Sequence, residues 1–256
     1  MGHWYDCDGK PHHTVIGANG KERPTTLRDA RKMALWPSVT SIIDIPSSPM
    51  LIAYKENEIF KAVIQNPWKD NKDFDKWKRT CRDLAGEHSK AARDRGGELH
   101  NALEHFFNTG KVKKKDREFV TPVVDMIRDK FHGVDWIAEK SFCHMGLGYA
   151  GTIDLHSPEH KIVLDFKTKD KETVQDIKAY DNHHMQTAAY SVGLQWDEDN
   201  PGKEIDKEWG RYNLFISTQT EGDICLTEST DFDREWNMYL YLLKFWQVKN
   251  NYQPGD

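Results

Sequence analysis

The sequence has 256 residues and contains no apolar run approaching the roughly 20 residues that a membrane-crossing helix needs. That excludes a helical membrane protein. Cysteine is scarce: four residues, at 7, 81, 143 and 225, with no paired spacing. This excludes a disulfide framework or a zinc ribbon and points to reduced thiols. The opening residues Met1-Gly2-His3-Trp4-Tyr5-Asp6 have neither the apolar stretch of a signal peptide nor the arginine-rich helix of a transit peptide, so a cytoplasmic location is expected. There is no Gly-x-x-x-x-Gly-Lys-Ser/Thr phosphate loop, hence no ATP-driven motor. Internal repeats, low-complexity tracts and long Pro/Gly/Ser linkers are also missing.

What is present is 38% hydrophobic residues, enough for a core at this length, and 30% charged residues with a net charge of −5. The charge is uneven. Residues 51–132 hold 18 Lys and Arg against 14 Asp and Glu, so the rest of the chain carries all of the acidic excess. A basic face beside an acidic, metal-collecting one is compatible with that balance, as is an ordinary solvated helical surface.

The pattern divides the chain at about residue 36. Residues 1–36 read as an appendage. Turn dipeptides Asp8-Gly9 and Asn19-Gly20, flanked by strand-like Trp4 to Cys7 and His12 to Ile16, predict an N-terminal β-hairpin, and a short helix from Leu27 to Met33 is capped by Thr25-Thr26. Residues 37–256 read as one domain, helical over 50–132 and carrying a sheet with helices over 136–250. Helices are expected at Met50 to Gln65, Phe74 to Phe107 with a break near Gly96-Gly97, and Arg117 to Phe131. Three strands follow at Trp136 to Met145, Tyr149 to His156 and Lys161 to Lys167. Then come a helix from Thr173 to Leu194, strands at Arg211 to Ser217 and Ile224 to Glu228, and a last helix from Asp231 to Asn250. This order predicts an α/β (α+β) fold with a mixed central sheet flanked by helices.

Five acidic-x-Lys tripeptides occur, but only Asp165-Phe166-Lys167 closes an apolar, β-branched strand beside a second strand acid, Asp154. In a strand Asp165 and Lys167 share a face and Phe166 takes the other. Two neighbouring carboxylates repel unless a cation lies between them. Mg²⁺ suits such a pair, and a lysine one pleat away suits attack of water on a phosphodiester. A salt bridge at a sheet edge is the plain alternative. Two helical signals join it. Gly96 and His100 share a helix face continued by Leu103 and Phe107, and Gln186 and Tyr190 share another, each also explicable as packing.

In order, the glycine–histidine helix, the strand with Glu139, the strand with Asp154, Asp165-Phe166-Lys167 and the glutamine–tyrosine helix resemble the RecB-like exonuclease branch of the PD-(D/E)XK nuclease superfamily. Pro37-Ser38-Val39-Thr40-Ser41-Ile42-Ile43 and Ala92-Arg93-Asp94-Arg95-Gly96 are similar to segments of its phage exonucleases and of mitochondrial genome maintenance exonucleases. The resemblance spans about Trp36 to Leu194. It implies a restriction-endonuclease-like αβββαβ core and a metal held by Asp154, Asp165, the Phe166 main-chain carbonyl and His100. It further implies Lys167 as catalytic lysine, Glu139 as an accessory acid, and Gln186 and Tyr190 supporting the site or touching DNA. The superfamily's proline is absent before Asp154, where Ile153 stands, as is common in that branch. The downstream cysteine cluster that holds an iron–sulfur centre in some relatives is missing too.

The implied activity is a Mg²⁺- or Mn²⁺-dependent exonuclease acting from DNA ends in phage or bacterial recombination, repair or replication. A single-strand-annealing or helicase partner and no membrane are expected. A structure-selective endonuclease and a non-catalytic DNA- or partner-binding module remain the alternatives. DNA-backbone contacts are expected from Arg93, Arg95, Lys111, Lys113, Lys114, Lys115 and Lys169. Basic residues of the 69–82 segment interleave with Trp68, Phe74 and Trp77, which fits either a stacking platform for single strands or a helix with buried aromatics.

Overall fold

The computed structural model describes residues 3–46, 49–69 and 73–254. Near the start, β1 (Trp4–Tyr5), β2 (Thr14–Ile16), β3 (Glu22–Pro24), α1 (Leu27–Met33), β4 (Trp36–Pro37) and α2 (Val39–Ile43) follow one another. The Thr26 side chain caps α1 at its amino end, and Ser38 caps α2. The chain turns at Asp8-Gly9 as expected, but only a short pairing follows it: the Asp6 N–H donates to the Lys10 carbonyl and the His12 N–H to the Trp4 carbonyl. The Tyr5–Pro11 bridge lies in that pairing, β1 also pairs with β4, and β2 pairs with β3 around Asn19-Gly20. Trp4, Ala30 and Leu35 enter the same buried cluster as the later helices, so this region packs into the main core.

Two long helices come next, α3 (Pro49–Gln65) and α4 (Phe74–Thr109), then α5 (Arg117–Lys130). The expected break of α4 at Gly96-Gly97 does not occur. Gly96 is buried because the helix backbone lies against Thr168, and a Cβ there would collide with the Thr168 hydroxyl, while Gly97 faces open space. Glycine here serves close approach rather than interruption. At the α3–α4 junction Trp68 packs edge-on against Phe74 and Trp77, Phe74 lies tilted on Trp77, and the Trp77 indole donates to the Asn66 carbonyl. Trp68 and Trp77 are half-buried there, whereas Phe74 remains 55% exposed. Lys72 of that segment lies outside the described residues.

The remainder is a five-stranded mixed sheet flanked by helices, in the order β5 (Ile137–His144), β6 (Tyr149–Ser157), β7 (Ile162–Lys169), β8 (Gly210–Ser217) and β9 (Ile224–Glu228). All neighbours are antiparallel except β7 and β8, which are parallel and joined through α6 (Asp181–Gln195). The final helix is α7 (Phe232–Asn250), capped by Asp231. α6 begins later than the expected Thr173 because Asp223 takes the Val174 amide and the Gln175 side chain, holding that stretch as a loop.

One sheet face is covered by α2, α6 and α7 over Phe142, Tyr149, Ile153 and Val163. The other is covered by α4 and α5 over Leu155, Leu164, Phe166 and Leu214. Among the described residues no helix is long and apolar enough to cross a membrane.

Candidate active site

Along β7 the alternation is regular: Val163 faces α6, Leu164 and Phe166 face α4 and α5. Asp165 and Lys167 therefore project toward α6. β6 is different. Ile153 lies on the α6 side and Leu155 on the opposite side, although two residues apart, so the alternation breaks at Asp154. On β5, at the position opposite Asp154, Glu139 has φ of 51°, and Ala138 and Phe142 likewise fall to opposite faces. The β6–β7 ladder also stops, at Leu155–Leu164, one step before Asp154 and Asp165 would pair. A local distortion thus parts the strands where the two acids meet.

Asp154 fills that gap. Its Oδ2 accepts the Phe166 N–H at 2.6 Å, and its Oδ1 lies 3.5 Å from His100 Nδ1. The His100 ring also packs edge-on against Phe166, with centroids 5.9 Å apart. His100 reaches this point because Gly96, one turn earlier, seats α4 on β7. Burial opposes charging of His100, but Asp154 and then Asp165 outweigh it and raise its pKa.

Asp165 is buried at 3% exposure. Its Oδ1 accepts the Gln186 Nε2–H at 2.9 Å, and Lys167 Nζ lies 2.8 Å from its Oδ2. The ammonium also donates to Gln186 Oε1 at 2.8 Å. Gln186 Nε2 in turn reaches the Tyr190 hydroxyl oxygen at 2.8 Å. One carboxamide therefore clamps acid, lysine and tyrosine together. Burial raises the Asp165 pKa; Lys167 pulls it back and Asp154 pushes it up again.

Glu139 is accessible to water, yet crowding that desolvates it, with repulsion from Asp154 and Glu104, pushes its carboxyl up to about 7; solvent at its open edge tempers that shift.

The arrangement is short of positive charge: two acids, a raised carboxyl, and one ammonium shared with an amide. Asp165 Oδ2 meets the Lys167 ammonium at 2.8 Å, a charged contact, while Oδ1 takes the Gln186 amide. Among the described residues no three His, Cys, Asp or Glu side chains converge as a ready-made cation cage. Carboxylate and carbonyl oxygens with few protein donors fit Mg²⁺ or Mn²⁺, which keep water and phosphate oxygens in their shell.

The expected DNA contacts divide. Arg93 and Lys111, Lys113, Lys114 and Lys115 are exposed. Arg95 is exposed but pairs with Asp170 at 2.7 Å, and shares a shallow hollow with Lys115 and Thr218. Lys169 is half-buried over the Phe215 ring; burial, then Lys167 and Lys171, lower its pKa.

Sequence reasoning missed other neighbours. The Tyr5 hydroxyl lies 3.1 Å from Thr152 Oγ1, which is 2.8 Å from Ser141 Oγ, so the N-terminal region reaches the strand just before Asp154. Nothing local in Trp4-Tyr5 signals this. Asn213 pairs in register with Asp165 and is fully buried, with neither amide atom hydrogen-bonded. A polar residue inside the apolar 210–217 strand was the available hint. His183 is buried and accepts the Tyr180 N–H at the start of α6.

No protein-family profile matches the chain, and no curated protein matches it. Among solved structures it is similar to a chain from Eubacterium rectale described as a candidate exonuclease, with 15% identity, a TM-score of 0.45, and coverage of 90% of this chain and 88% of that one.

Proposed function

We propose that the protein is a metal-dependent deoxyribonuclease of the RecB-like PD-(D/E)XK kind that digests DNA from an end. What carries the reading is the meeting of Asp154, Asp165 and Lys167 where β6 and β7 part, with a buried Asp165 oxygen held 2.8 Å from the Lys167 ammonium. Asp154, Asp165, the Phe166 carbonyl and His100 would hold Mg²⁺ or Mn²⁺. When bound, that ion supplies charge neutralisation at a phosphate and lowers the pKa of a water.

The protein's own groups have separate tasks. Lys167 stabilises negative charge on the phosphate or orients the attacking water. Gln186 fixes Lys167 relative to Asp165, and Tyr190 fixes Gln186. His100 steadies Asp154, and Glu139 opposite it is the accessory acid. Exposed Arg93, Lys111, Lys113, Lys114 and Lys115 grip the DNA backbone, while Arg95 and Lys169 stand nearer the strand ends. Action in phage or bacterial recombination, repair or replication, in the cytoplasm and with an annealing or helicase partner, follows from the family resemblance.

End-labelled single- and double-stranded oligonucleotides and closed circular DNA, each with and without Mg²⁺, test this. Expected are loss of linear DNA only with metal, an intact circle, and no cleavage by Asp165→Ala. Loss of the circle first would mean an endonuclease. Wild type behaving like Asp165→Ala would mean a binding module.

A further inference from the structure

We propose that Asn213 is a positioning residue for Asp165, steadying that carboxylate from β8; this rests on the nuclease reading above. The first observation is the register. β7 and β8 pair without interruption from Ile162–Gly210 to Lys169–Ser217, and Asp165 stands directly beside Asn213. Paired strands lie about 4.8 Å apart, so side chains of such a pair are immediate neighbours when they share a face. These two do. Leu214 and Ile216 belong to the cluster under α4 and α5, so Asn213 and Phe215 project toward α6, as Asp165 and Lys167 do. Phe215 accordingly packs on His183 of α6, with ring centroids 5.3 Å apart. On the other flank the β6–β7 ladder has already parted, so β8 is the unbroken strand against which Asp165 can be held.

The second observation is the state of the amide. Asn213 is fully buried, and among the described residues it is the buried side chain in which two polar atoms both lack a hydrogen bond. The polar groups around it are engaged elsewhere. Thr227, its partner on β9, donates to the Asn213 main-chain carbonyl at 3.4 Å. Arg211, two residues earlier on the same face, is taken by the Ser229 carbonyl and Glu235, and the Thr187 hydroxyl by main-chain carbonyls of α6.

A carboxamide buried without partners costs stability, and leucine, with the same branching and number of heavy atoms, would avoid that cost. Packing therefore gives no reason for an amide at this position, whereas the carboxylate beside it does. Gln186 holds Asp165 Oδ1 and Lys167 holds Oδ2. When Oδ2 turns from Lys167 to a divalent ion, the Asn213 N–H is the donor placed to keep the carboxylate in line.

Asn213→Leu separates this role from packing. In the metal-free protein the melting temperature should stay level or rise by about 2–4 °C, because the unpartnered amide is gone. Mn²⁺ binding, read by electron paramagnetic resonance, should nevertheless weaken by about tenfold. At saturating DNA kcat should fall by about tenfold, with KM for DNA changed by less than about twofold. Asn213→Val, which suits a strand and is closer to Asn in volume, should behave alike and guards against a leucine that does not fit. Undiminished Mn²⁺ affinity and turnover in either folded variant, or a melting temperature that falls in both, would overturn the proposal. Failure of the nuclease reading looks different: the wild type itself would bind no Mn²⁺, or would cleave no better than Asp165→Ala, and this inference would fall with it.

Discussion

Glu139 illustrates how the site is built at the cost of local comfort. A non-glycine residue at φ of 51° inside a strand is strained by about 1 kcal/mol or more, and here it stands opposite Asp154. Glu139→Gly should consequently be more stable than Glu139→Ala by about 1 kcal/mol in urea unfolding, the reverse of the usual order in strands. Equal stabilities would show that the backbone there is relaxed. Gly96 tests the opposite kind of constraint. Gly96→Ala forces a Cβ onto the Thr168 hydroxyl and should cost about 1–3 kcal/mol, and Thr168→Ala in the same chain should recover most of it. At Asp165, replacement by Asn removes a charge that repels phosphate. Cleavage should vanish while DNA affinity, read by fluorescence anisotropy, is kept or rises. Lost affinity would point to a different role for the acid.

The elements were legible in the sequence to the extent that their signals are local. β6, β7 and α7 announce themselves by apolar runs, turn residues and caps, and Asp165-Phe166-Lys167 by strand alternation. The start of α6 was not legible because Asp223, some fifty residues downstream, supplies the hydrogen bonds that keep residues 173–180 out of the helix. The pairing of β1 with β4 was hidden for the same reason. The flip at Asp154 escaped too, since period-two reasoning assumes an unbroken strand. Buried histidines give the elements a pH signature. Burial lowers His144 to about 4, and burial with Lys167 and Lys169 nearby lowers His183 to about 3. Their unfolded forms take up protons near the ordinary 6.5, so the unfolded chain binds more protons below that pH. Stability should be fully present above about 6.5 and fall as pH drops toward 4, by up to about 1.4 kcal/mol per pH unit per histidine. His183→Gln should flatten the slope of denaturation midpoint against pH; an unchanged slope would assign it to other groups.

In the whole molecule, the helices of one face are fastened to the sheet by charge inside the core. Arg211 of β8 and Glu235 of α7 are both buried, 3.2 Å apart, and His184 of α6 lies 3.9 Å from the same carboxylate. Removing one partner leaves a buried charge alone, so Glu235→Leu should cost about 3–5 kcal/mol, whereas Arg211→Met with Glu235→Leu should cost distinctly less. Additive losses would argue against coupling. The same sheet carries the two acids between α4 and α6, and the account as a whole depends on those acids sharing a divalent cation. Electron paramagnetic resonance of Mn²⁺ titrated into the protein tests this most directly. The account predicts saturable Mn²⁺ binding by the wild type, competed by Mg²⁺ and abolished in a folded Asp154→Asn, Asp165→Asn double variant. Identical titrations for the two proteins would contradict it.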